Sequence, residues 1–562
     1  MKIKIISLCL SLVIFLCCLK AKSQSDLSQK PVDRSLAYYY FIKGQQYLHQ
    51  GDIEEAIDFL EKALVYDPKA TSVILNLTQI YLQKGELKQA KYWADHILKL
   101  EPENIEARFM LVWIYTNQEN YQNAINECKR ILEISPQNKK AAFYLANLYT
   151  HTKDYQGAID AFQKLLELDP NSFYVYYYLG NTYFSLKKYK SAEKYLKKAI
   201  ELNPHFEDAL LTLAKLKENQ KKFKEAKEIY KGILKENPKN LNVAFLLAQL
   251  YLKENKLKKA KTLLSSLAEK PGDKFEIALF WLREKQYSEA IAYLKPLLKL
   301  FPKKDEIRYY LASAYEGMEK IDQALNILKK IPPSSPIYVN GIIYSAYLLK
   351  NQGKISEAIA KLEHIIIQYP QKPLPYIVLA EILEDQKDYQ RALEVLKKAV
   401  KTFPQDASIH FRLGVVYDKM QSKDMCIKEM RQTISLDPNH AEALNYLGYT
   451  YAEMGKNLEE AERLIKRALE IKPEDGYIID SLGWVYYQRG EYKKALEILK
   501  KAHKLASKDP IITEHLGDVY SKNGLYQEAL KYYRQALKLK PDNPENILLK
   551  IKKLEQILEK NS

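Results

Sequence analysis

The chain has 562 residues, 28% of them charged, and only 18 glycines, about half the usual share. That composition excludes collagen-like and disordered chains and favours helix. Five cysteines are too few for a disulfide framework, and no apolar run reaches the ~18 residues a polytopic membrane protein needs. The net charge of +17 is uneven: residues 151–350 hold 35 Lys+Arg against 23 Asp+Glu, whereas residues 351–500 hold 22 against 23. A basic middle suits an acidic protein, an anionic lipid or a nucleic acid. It is also what a solvated, lysine-rich helical surface looks like.

In chain order, Lys2 and Lys4 precede an apolar stretch from Ile5 to Leu19, which Lys20 and Lys22 end. Fifteen helical residues rise about 22 Å, short of a ~30 Å hydrocarbon core, so the pattern predicts an export signal over residues 1–23. Ala21-Lys22-Ser23 places small residues where a signal peptidase needs them. Cys17-Cys18 offers a second reading, because the pair resembles a bacterial lipoprotein site, although Leu16 stands where a small residue is preferred. Cleavage without lipid, lipidation at Cys17 or Cys18, and an uncleaved anchor all remain open. Residues 24–36 follow as a linker.

From there the chain repeats. Ala56, Ala90, Ala124, Ala158, Ala192, Ala226 and Ala260 are each 34 residues apart. The phase slips by four, and Ala290, Ala324, Ala358, Ala392 and Cys426 resume the step before Ala461, Ala495 and Ala529 finish it. A proline follows most of these alanines by twelve residues, as at Pro68, Pro102, Pro170 and Pro404. Twelve residues before the alanine sits a small residue such as Gly44, Gly180 or Gly483, and three residues later an aromatic such as Tyr47, Tyr183 or Tyr486. The spacing predicts two amphipathic helices per unit. The small residues let the helices approach, the tyrosine fills the groove beside them, and the proline ends the second helix.

These residues resemble the tetratricopeptide repeat family. One unit shows the whole pattern as Leu179, Gly180, Tyr183, Ala192, Ala199 and Pro204. The resemblance covers about fifteen units over residues 37–541. It implies an all-α solenoid, wound as a right-handed superhelix, with the first helix of each unit lining a concave groove. Such units bury their apolar faces only by stacking. Residues 542–562 carry a further amphipathic stripe, Ile547, Ile551, Leu554 and Leu558, and are expected to cap the last unit. The array divides into an N-terminal arm over 37–270, an irregular segment over 271–336 and a C-terminal arm over 337–541. The irregular segment holds Pro271-Gly272 in a four-residue deletion, Pro296 inside a second helix, where a kink is expected, and Pro332-Pro333, which end another early. Asn457 adds one residue to the thirteenth unit.

No phosphate-binding loop, His-Glu-x-x-His or Cys-x-x-Cys occurs, and the nine histidines are scattered. No catalytic residue, metal site or cofactor is expected. Cys128 and Cys426 read as buried, inert thiols. The candidate site is the groove. Positions 5 and 9 of each repeat are expected to face it, and in the N-terminal arm they supply Phe41, Phe109, Phe143, Tyr177 and Phe245 beside Gln45, Gln79, Trp113, Asn147, Asn181 and Gln249. Side-chain amides donate and accept, so they suit the backbone of an extended peptide. The same aromatics would instead be packing if tight winding buried position 5. In the C-terminal arm position 9 reads Glu381, Val415, Tyr449, Trp484 and Asp518, which points to a different ligand.

The expected function is a non-catalytic protein-interaction scaffold of the bacterial cell envelope, exported to the periplasm or associated with the outer membrane. Its partners would be extended segments of secretion, pilus, polysaccharide or outer-membrane assembly factors. A carbohydrate-binding solenoid is the alternative. A nucleic-acid binder using the basic middle would need the N-terminus to be a retained helix, and no nucleic acid is expected.

Overall fold

The computed structural model describes residues 32–541 and 543–561. The N-terminal segment, with its cleavage site and with Cys17 and Cys18, lies outside them. Thirty-one helices run from Arg34 to Asn561, and there is no strand among the described residues. They form fifteen helix–turn–helix units and one further helix. The fifth unit shows the pattern, with a first helix over Phe173–Ser185 and a second over Tyr189–Leu202. The chain divides into two compact units, one ending at Leu267 and the other beginning at Ala268. The first holds seven repeats; the second holds eight and the final helix.

The repeated residues do the packing work their sizes dictate. Ala56, Ala90, Ala124, Ala158 and Ala192 are fully buried, as is Cys426 in the same slot. Opposite them, a Cβ on Gly180 would sit 2.8 Å from Leu196 Cγ, and one on Gly483 would sit 2.6 Å from Leu499 Cγ. The aromatic three residues on stacks against the second helix: Tyr183 on Tyr195 at 5.3 Å and 1°, Tyr520 on Tyr532 at 5.3 Å and 9°. Gly483→Val is therefore expected to cost about 3 kcal/mol by overpacking. Gly232 lies in a second helix with nothing within 4 Å of its would-be Cβ, so Gly232→Ala should instead add about 0.5–1 kcal/mol. Urea unfolding of the two variants checks both signs.

Turn chemistry closes each unit. The fifteen turns between first and second helices each place a residue in the left-handed region at the same position, and the thirteenth places Asn457 there as well. Six use glycine, such as Gly51 and Gly490; the others use Lys, Glu, Asn or Gln, such as Lys187 and Gln421. At the start of several first helices an asparagine caps the backbone, with Ala107 N–H donating to Asn104 Oδ1 at 2.9 Å and Ala141 N–H to Asn138 Oδ1 at 2.9 Å.

The irregular positions behave in different ways. Pro271 is the first residue of the helix Pro271–Arg283, a position that tolerates proline because its N–H would be unpaired anyway. The helix Tyr287–Leu300 continues through Pro296 to its expected end. Ala290, Leu294 and Leu297 on either side are buried, so tertiary packing holds the helix where proline alone would break it. Before Pro332 the second helix is short, Ile321–Leu328. Asn457 takes a left-handed conformation at the start of Leu458–Ile471. The final helix, Pro544–Asn561, buries Ile547, Ile551 and Leu554 against the last repeat. Cys128 and Cys426 are free and fully buried, and burial pushes both thiols up to about 12. No described helix is long and apolar enough to cross a membrane.

Candidate protein-binding face

Successive first helices touch one another, as Thr71–Gln83 does with Ile105–Asn117 in the first compact unit and Ala441–Glu453 with Gly476–Gln488 in the second. Successive second helices make no comparable contact. Within each compact unit the first helices therefore lie on the inner side of the curve.

In the first compact unit the position-5 residues Phe41, Phe109, Phe143, Tyr177 and Phe245 are all half-buried. Phe143 wedges between repeats, its ring edge-on to Tyr178 of the next first helix at 5.2 Å and to Phe162 of its own second helix at 6.4 Å. Tyr177 meets Phe206 at 5.1 Å, and Lys140 Nζ lies 4.5 Å above the Phe109 ring. The rings of Phe109, Phe143 and Tyr177 thus pack between units while remaining only half-buried. Position 9 is more open. Gln79 is exposed and Trp113 is 44% exposed, while Gln45, Asn147, Asn181 and Gln249 are half-buried. Some amides already have partners: Gln45 Nε2 donates to Asn76 Oδ1 at 3.0 Å, and Asn147 Nδ2 donates to the Phe143 carbonyl at 2.8 Å. On the outer side, a cleft of about 610 Å³ lies between the helices Tyr121–Ile134 and Tyr155–Leu168, with Tyr149, Leu132 and Ala161 in its wall.

The second compact unit carries a polar and aromatic network of which sequence reasoning singled out Trp484 and Asp518 but missed Asp480, His515 and Lys550. Asp480 Oδ2 lies 2.9 Å from Nδ1 of His515, and both side chains are buried. The His515 ring stacks on Trp484 at 4.0 Å and 15°, and Trp484 stacks in turn on Tyr487 at 4.6 Å and 6°. Asp518 accepts from the Tyr533 hydroxyl at 2.6 Å and from Lys550 of the final helix at 2.8 Å. Burial by itself lowers the proton affinity of His515, but the charge of Asp480, with Asp518 and Glu514 behind it, overrides this and raises the imidazole above its ordinary value. Asp480 Oδ1 is buried without a hydrogen-bond partner. The signal was present at position 5, where Asn445, Asp480 and Glu514 replace the aromatics of the first compact unit. No group of three or more metal-ligating side chains converges among the described residues.

A stack of helix–turn–helix units with small residues at the crossing, an inner row of first helices and no further folded domain among the described residues defines an α-solenoid of the repeat class. Tetratricopeptide repeat profiles match residues 47–108, 183–234, 218–278, 282–336 and 349–413, a second such profile matches 407–440 and a third 444–549. The chain belongs to the tetratricopeptide repeat family. Residues 117–199 also match the profile described as anaphase-promoting complex, cyclosome, subunit 3. No curated protein matches the chain. Among solved structures it is similar to Naa15/Naa10 bound to HypK-THB, at 14% identity over 93% of this chain and 96% of that one, with a TM-score of 0.44. It is also similar to the APC/C hetero-tetramer Cut9–Hcn1, at 15% identity over 91% and 98% and a TM-score of 0.39. Yeast Tom70 is similar at 15% identity over 75% and 96%, with a TM-score of 0.38.

Proposed function

We propose that the chain is a non-catalytic scaffold that holds extended segments of partner proteins on the inner faces of its repeats. The observation that carries this reading is the inner row of the first compact unit. There Trp113 and Gln79 stand open to solvent beside half-buried aromatic rings, so apolar area and paired donor–acceptor groups are offered together. The charged, aromatic network of the second compact unit presents different chemistry and suits a different segment. The N-terminal pattern of Lys2, Lys4 and the apolar stretch to Leu19 supports export, and with it a place in the bacterial cell envelope. Secretion, pilus, polysaccharide and outer-membrane assembly factors are the partner classes that fit that place.

A photo-crosslinker at Trp113, with a control at the exposed outer residue Gln163, tests the reading in cells. Trp113 is the better position than Phe143, whose ring supports the packing between repeats. One dominant protein captured from Trp113 and not from Gln163 is the expected result. Equal capture at both positions, or none, would reduce the inner row to packing.

A further inference from the structure

In the fifth, sixth and seventh repeats, the turns joining first to second helices and the opening turn of each second helix together carry nine lysines. They are Lys187, Lys188 and Lys190, then Lys221, Lys222 and Lys224, then Lys256, Lys258 and Lys259. Corresponding residues are 34 apart, so the turns lie side by side on one edge of the first compact unit, roughly 10 Å from repeat to repeat. All nine are exposed. The nearby carboxylates are already engaged: Glu193 by Lys197 and Lys217, Glu225 by Lys217, and Glu254 by Lys227 and Lys256. Among the described residues, seven of the nine, all but Lys222 and Lys256, have no ion-pair partner. Their repeat-to-repeat spacing exceeds the Debye length of about 8 Å at physiological salt, so salt largely screens the lysines of one repeat from those of the next. Lys187 and Lys221 moreover occupy the left-handed turn position, at φ 58° and 60°, that six other turns give to glycine.

Lysine is the only cation on this edge. Residues 183–262 contain 20 Lys, no Arg and 9 Asp+Glu. Arginine is the residue for planar, two-point recognition of ordered phosphates, whereas lysine is a compact charge on a flexible stem. The apolar residues that open the second helices, Tyr189, Phe223 and Leu257, are half-buried, and none presents a fully exposed ring for base stacking. A row of flexible point charges without aromatic platforms fits mobile head groups on an extended surface better than a nucleic acid. We propose that this lysine edge docks the chain on an anionic phospholipid membrane. The docking is independent of what the inner face holds.

Flotation of the full-length chain with vesicles tests it. At about 0.15 M salt the chain should bind phosphatidylcholine vesicles containing about 30 mol% phosphatidylglycerol far better than pure phosphatidylcholine, and excess salt should release it. Each lysine near an anionic surface contributes about five-fold in affinity. The combined variant Lys187→Gln, Lys188→Gln, Lys221→Gln, Lys224→Gln, Lys258→Gln and Lys259→Gln should therefore lose well over ~100-fold. Glutamine fits the left-handed turn, as Gln421 shows. A control variant removes the same charge from exposed residues of the second compact unit, Lys397, Lys398, Lys428, Lys493, Lys501 and Lys504, each to Gln, and should bind almost normally. Equal loss in both variants, or no preference of the natural chain for anionic vesicles, would overturn the proposal. So would capture of a single-stranded oligonucleotide by the lysine edge in a chain that ignores vesicles.

Discussion

Asp480→Ala is expected to destabilise the second compact unit by about 3–5 kcal/mol, because it breaks a buried ion pair and leaves the other partner in place. His515 is 7% exposed, its Nδ1 faces Asp480, and its ring is held against Trp484. Without the carboxylate, the imidazole must either lose its proton or keep a charge and a donor that nothing satisfies. Asp480→Asn keeps an acceptor for Nδ1–H and should cost less, about 1–2 kcal/mol. The pair also sets a pH dependence. The folded-state pKa of His515 lies above its ordinary value of 6.5. Its contribution to stability is thus fully present below about pH 6.5 and is lost as pH rises through the folded value. Urea midpoints, followed by the fluorescence of Trp484 and its neighbours between about pH 6 and about pH 9, should fall with rising pH in the natural chain. The slope should be smaller in Asp480→Asn. Identical slopes in the two proteins would sink the assignment of this titration to His515.

The helices and their spacing were legible because each repeat restates the same constraints. Ala192 must be small where Gly180 meets Leu196, and Pro204 must end the helix that Ala199 belongs to, so one unit checks the next. The stripe of Ile547, Ile551 and Leu554 was legible for the same reason, since helical periodicity alone decides which side is buried. Pro296 shows where local reasoning stopped. Its helix is continued by Leu294 and Leu297, whose burial is a tertiary fact. In the candidate site, the residues of positions 5 and 9 were legible, but their division between packing and exposure was not. Phe143 and Trp113 are one helix register apart in the pattern, yet one is wedged between repeats and the other stands open. The network of Asp480, Trp484, His515 and Lys550 was hidden because its partners come from different repeats and from the final helix. Their pairing depends on how closely neighbouring first helices approach, which no single-unit pattern records.

Phe162→Ala is expected to cost about 3–5 kcal/mol locally while leaving the second compact unit unaffected. Phe162 is fully buried in the helix Tyr155–Leu168, stacked on Tyr178 at 5.9 Å and 10° and edge-on to Phe143 at 6.4 Å. It joins three elements: its own second helix, the first helix beside it and the first helix of the next repeat. Truncation opens a cavity at that junction and also removes the surface on which Phe143 and Tyr178 rest. In a solenoid each repeat is stabilised by itself and its neighbours. The loss should therefore appear as faster amide hydrogen exchange over the fourth and fifth repeats, residues 139–202, with protection in residues 407–538 unchanged. Capture from Trp113, which lies in the third repeat, should weaken only as far as the inner row of the fourth is loosened. Uniform loss of protection along the whole chain would show one cooperative unit, and the nearest-neighbour account of this solenoid would then be wrong.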